Sequence, residues 1–127
     1  MANRIFKQIR GTLDNEVVIL AGAFKPNGSS AIDEDENTSN GWSVAYTSTG
    51  KYTITLDDVY SSYLSCTATI AQTTAGDQYV AIGAIDVTSA KTVEIFNWDV
   101  SGNAIADVAA AAGSMIHFCL VLKNSSV

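Results

Sequence analysis

His117 is the only imidazole in the chain, and Cys119 stands two residues beyond it, so on an extended backbone both point to one face. A base beside a thiol or hydroxyl is the minimum for nucleophilic catalysis. This pair, however, lies within Met115-Ile116-His117-Phe118-Cys119-Leu120-Val121-Leu122, the most apolar run in the sequence. Neither Cys66 nor Cys119 has a basic setting that favours thiolate. Packing explains the pair more simply: a histidine in a core or subunit contact with one hydrogen-bond partner, and two free, buried thiols. Two cysteines and one histidine at these spacings supply no zinc ligand pair from one turn. The carboxylates of Asp33-Glu34-Asp35-Glu36, followed by Asn37, are the one calcium candidate. Read as an EF-hand from Asp33, the segment has Thr38 where glycine belongs and Val44 where glutamate belongs, so a solvated acidic loop is expected. Asp57 and Asp58 are adjacent, point oppositely when extended, and do not form a glycosidase pair. Trp42, Tyr46, Tyr60, Tyr63, Tyr79 and Trp98 are candidates for a sugar-binding surface, although such aromatics more often serve cores and interfaces. The glycines are single and separated, without a phosphate-cradling loop. No catalytic residue, no metal and no cofactor is expected.

Charge is distributed unevenly. Arg4, Lys7 and Arg10 are three of the seven basic residues, with no acid among them, leaving four bases against all thirteen acids after them. Ile5, Phe6 and Ile9 place apolar groups between those bases. A short basic and apolar arm, residues 1–15, on an acidic domain, residues 16–127, suggests a segment that docks on another surface. The net charge of −6 argues against nucleic acid as a partner. No run approaches the ~20 apolar residues that span a bilayer, and no apolar stretch follows the N-terminal bases, so neither a membrane partner nor a secretory signal is expected.

The elements that must position these residues read as strands. Residues 16–23 are β-branched and apolar; a break is expected at Phe24-Lys25-Pro26-Asn27-Gly28, then an exposed polar loop to residue 41. Trp42 to Tyr46 and Gly50 to Leu56 follow, the latter with Tyr52, Ile54 and Leu56 opposite Lys51, Thr53 and Thr55. Leu64 to Ala71 alternates Leu64, Cys66, Ala68 and Ile70 against Ser65, Thr67 and Thr69. Tyr79 to Val87 and Lys91 to Val100 come next, then a run of small residues, 104–112, that fits a short helix or a packed loop. Ser114 to Lys123 is apolar on both faces, as suits a strand covered on both sides. Seven short strands, with at most one short helix among them, predict one antiparallel β-sandwich, jelly-roll-like, with an extended N-terminal arm. In it, Met115, His117, Cys119 and Val121 would share the face away from the core and are the candidate subunit contact.

Thr49-Gly50-Lys51-Tyr52-Thr53-Ile54-Thr55-Leu56, a Gly-x-Tyr-Thr-x-x-Leu strand after a short Trp-containing one, resembles β-sandwich structural proteins of tailed bacteriophages. The opening Met-Ala-Asn-Arg-Ile-Phe-Lys-Gln-Ile-Arg-Gly and the ending Ile116 to Val127, an apolar strand followed by Lys-Asn-Ser-Ser, are similar to capsid decoration (cement) proteins of such phages. The resemblance implies a non-enzymatic virion protein on the outer capsid surface, assembled in the host cytoplasm. It implies a homotrimer seated where major capsid protein subunits meet. Arg4, Lys7 and Arg10 would then meet acidic capsid surface, with Ile5, Phe6 and Ile9 in apolar grooves. The alternative is a trimeric phage tail-fibre or receptor-binding domain recognising cell-surface glycan; a free carbohydrate-binding module or small hydrolase ranks after it.

Overall fold

The computed structural model describes residues 17–28, 31–36, 41–72, 76–108 and 114–124. Among the described residues nine strands follow one another: β1 (Val17–Pro26), β2 (Ile32–Asp35), β3 (Trp42–Ser48), β4 (Lys51–Leu56), β5 (Ser62–Ala71), β6 (Gln78–Asp86), β7 (Thr92–Asp99), β8 (Ala104–Ile105) and β9 (Met115–Lys123). They form two antiparallel sheets packed face to face, the β-sandwich expected from the alternation. One sheet runs β2-β1-β9-β5; the other runs β3-β4-β7-β6, with β8 beside the end of β7.

Alternation of residue type decides which face each strand buries. Phe24 of β1, and Ile116, Phe118, Leu120 and Leu122 of β9, point inward from the first sheet. Trp42 of β3, Tyr52, Ile54 and Leu56 of β4, and Val93 and Ile95 of β7 meet them from the second. The Trp42 ring stands edge-on to Phe118, 4.7 Å between centroids, and Phe24 meets Tyr52 at 5.4 Å. Each buried aromatic removes about 150–250 Å² from water, so these four rings and the aliphatic rows between them dominate the cohesion of the sheets.

Several expectations are corrected. The first strand does not break at Phe24 but continues through Lys25 to Pro26, where the pairing with β2 shifts register. Proline loses no ladder bond at such a strand end. Part of the expected acidic loop is strand: Phe24 pairs with Asp35 and Lys25 with Glu34. Leu64 is not in the core row. A bulge between Tyr63 and Ser65 turns both Tyr63 and Leu64 outward, each at least half exposed, and only from Cys66 does β5 resume alternation. In the small-residue run, Ala104–Ile105 is strand and 106–108 are irregular, so no helix starts there; residues 109–112 lie outside the described residues.

Asp107 fastens that irregular stretch. Its carboxylate accepts the Gly50 N–H at 2.6 Å and the Tyr46 hydroxyl at 3.4 Å. Buried Asn97 completes the junction: its side-chain amide donates to the Ala106 carbonyl at 2.8 Å, and its own N–H donates to the Gly50 carbonyl. Gly50 turns β3 into β4 at φ 65°, in the left-handed region that favours glycine.

Candidate docking surfaces

Because β1, β9 and β5 are neighbours, residues far apart in sequence form rows on the outer face of the first sheet. Ile19, Val121 and Ser65 make one row; Ala21, Cys119 and Thr67 the next; Ala23, His117 and Thr69 the third. Met115 extends the face opposite Ala71. The expected set Met115, His117, Cys119 and Val121 is therefore brought together on one surface, away from the core.

These three rows hold no acid, lysine or arginine, although the chain carries net charge −6; the next row, Val17, Lys123 and Ser62, brings a lysine to the end of the face. Ile19 is 56% exposed. Small side chains at Ala21 and Ala23 leave a shallow hollow of about 320 Å³, bordered by His117 and, from beyond β2, Glu36. The Glu36 N–H donates to the Ala23 carbonyl, which fixes that acidic residue at the rim. The sequence pattern alone did not reveal Ile19, Ala21, Thr67 and Thr69 as parts of this face. The available signal was that Val17 to Phe24 is apolar at odd and even positions alike, which implies a strand with two dry faces.

His117 is exposed rather than buried, a correction to the reading of a core histidine. The cysteines are free, and both are half-buried rather than buried. Thr67 pairs with Cys119 and Cys66 pairs with core residue Leu120, so the two sulfurs project to opposite faces of the sheet. That geometry rules against a Cys66–Cys119 disulfide, since a disulfide needs converging Cβ vectors. Burial pushes the Cys66 thiol up to about 11, with the neighbouring Cys119 adding to the rise.

A second hollow, about 270 Å³, lies between β5 and the β6–β7 turn and is lined by Ser61, Ser62, Tyr63 and Asp86 among others. Asp86, the carboxylate in its lining, is already engaged. The Asp86 carboxylate caps its own turn, accepting the N–H groups of Thr88, Ser89 and Ala90 and the Thr88 hydroxyl. The Ser89 and Ala90 amides, then Thr88, hold this carboxyl below its ordinary range. Among the described residues no group of three His, Cys, Asp or Glu side chains is placed to hold a metal ion.

The candidate aromatics separate by environment. Trp42 and Tyr60 are buried, Tyr46 packs against the core, Tyr63 sits on the bulge, and Tyr79 and Trp98 share the outer face of the second sheet. The arm residues Arg4, Ile5, Phe6, Lys7, Ile9 and Arg10 lie outside the described residues. Compared with protein-family models, with curated proteins and with solved structures, the chain matches none.

Proposed function

We propose that the chain is a non-enzymatic virion structural protein, a decoration or cement protein of a tailed bacteriophage. It works as a homotrimer on the outer capsid surface, where it bridges junctions between major capsid protein subunits. The observation that carries the reading is the centre of the outer face of the β1-β9-β5 sheet: between Lys25 at one end and Lys123 at the other, the rows of Ile19, Val121, Ala21 and Cys119 with Ser65, Thr67 and Thr69 hold no acid, lysine or arginine, on an acidic chain. Depletion of charge marks the cores of protein interfaces, and a copy of the same chain can bring a matching surface without repulsion between carboxylates. The arm then has a separate task, with Arg4, Lys7 and Arg10 against acidic capsid surface and Ile5, Phe6 and Ile9 in apolar grooves.

The energetics suit such a division. Exposed ion pairs contribute about 0–1 kcal/mol each, so the arm's charges steer and its three apolar side chains anchor. Three arms on one trimer bind as a unit, and linked binding multiplies weak contacts. A ligand that binds the assembled shell and not its separated subunits shifts the balance toward the shell. Light scattering on the purified chain tests the first step: three 13.4-kDa chains give about 40 kDa. A monomer at tens of micromolar contradicts the self-contact.

A further inference from the structure

Tyr79, Phe96 and Trp98 stand on the outer face of the second sheet, where a half-exposed sandwich strand ordinarily presents polar side chains. Tyr79 opposes Trp98 across β6 and β7, with ring centroids 6.5 Å apart and planes tilted by 34°, and Tyr79 is 49% exposed. Two residues along, Phe96 leans over Gly83; a Cβ there would come within 2.6 Å of its ring. From β4, Lys51 opposes Phe96 and holds its ammonium 5.2 Å from the ring centroid. The following pair is Thr53 opposite Glu94. Along β7 the face thus runs from two tilted rings, through a ring with a cation on it, to a carboxylate.

We propose that this face is a carbohydrate-binding site, taking a neutral oligosaccharide laid along β7. Its C–H faces rest on Tyr79 and Trp98, and its hydroxyls reach Lys51 and Glu94. The negative face of an aromatic ring attracts polarised C–H groups as it does cations. From Glu94 to Trp98 the strand advances about 13 Å, the length of a short oligosaccharide rather than of a single sugar. A nucleobase would also stack on such rings, but it brings phosphates to a chain of net charge −6 that offers one cation here. A protein partner is less well matched, because interface cores are depleted of charge and this face carries both signs at its centre. The central rows of the other sheet's outer face, without acid, lysine or arginine, have the opposite character, so the two outer surfaces suit different ligands.

The test uses the full chain, labelled for NMR and titrated separately with cellohexaose, chitohexaose and mannohexaose to about 10 mM, which covers weak single-site affinities. The expected result is a saturable shift of the Trp98 indole N–H with at least one of the three, while the buried Trp42 indole stays in place. Tyr79→Ala weakens that affinity about tenfold or more, the scale of losing one stacking ring. Tyr79→Leu, which keeps apolar bulk, does the same if the alanine variant loses its fold. No shift with any of the three sugars overturns the proposal, as does a shift that survives removal of the Tyr79 ring. Capsid docking does not enter these readouts, so either reading can fail without the other.

Discussion

Three interior positions, Gly22, Asp107 and Tyr52, each give a test. At Gly22 the Trp42 ring occupies the space a Cβ would need, its Cε2 2.7 Å from that position. Gly22→Ala must therefore displace an indole that packs on Phe118, and overpacking of this kind costs about 1–3 kcal/mol; urea denaturation measures it, and an unchanged midpoint contradicts the packing described. Asp107→Ala leaves the Gly50 amide without its partner and should lower stability by about 1–3 kcal/mol, while Asp107→Asn, which keeps an acceptor, should recover part of it. Tyr52 supplies a pH signature. Burial pushes its hydroxyl from 10 up to about 12; the Val108 backbone hydrogen bond works against the rise, and Asp107 and Tyr46 add to it. Below pH 10 folded and unfolded chains both keep this proton, and the stabilisation is fully present. Between pH 10 and 12 only the unfolded chain releases it, so stability falls with rising pH. Denaturation curves across that window should show the fall, and Tyr52→Phe should flatten it; the same slope in the variant contradicts the assignment to Tyr52.

Strands with strict alternation were legible from sequence, and strands that break the rule were not. In β4 the residues Tyr52, Ile54 and Leu56 are all core, as their period of two requires. β2 is written Ile-Asp-Glu-Asp, a poor strand by propensity, and exists because the edge of β1 offers it backbone partners. The bulge at Tyr63 and Ser65 shifts alternation by one residue, and only the register with β9 reveals that Leu64 faces solvent. The candidate contact face was half legible: its β9 members follow from alternation within one strand. Ile19 and Ala21 join them through a pairing that spans nearly the whole chain, which no local pattern encodes. The same holds for Tyr79 and Trp98, although aromatics at alternate positions 96 and 98 were a sign that the outer side of β7 is not purely solvent-facing. At this scale the self-contact predicts that Ile19→Arg, at an exposed position opposite Val121, leaves the circular dichroism of the sandwich intact and reduces the trimer mass to that of a monomer. A trimer that persists places the oligomer contact elsewhere.

The whole molecule combines an acidic sandwich with two dissimilar outer faces and a basic, apolar N-terminal segment. The uncharged centre of the first sheet's outer face suits self-association, the aromatic sheet a neutral ligand, and the arm an acidic surface. If these tasks are separate, removal of residues 1–12 leaves the light-scattering mass per assembly near three chains; a collapse to monomer would mean that the arm, not the sheet, holds the copies together. Docking on a shell is read out by co-sedimentation of the chain with phage heads stripped of their decoration protein. Saturable binding by the intact chain is expected, with loss of binding when Ile5, Phe6 and Ile9 are replaced by serine in a variant that keeps its fold and trimer mass. Binding that survives those three replacements, or an intact chain that stays in the supernatant, would contradict that expectation.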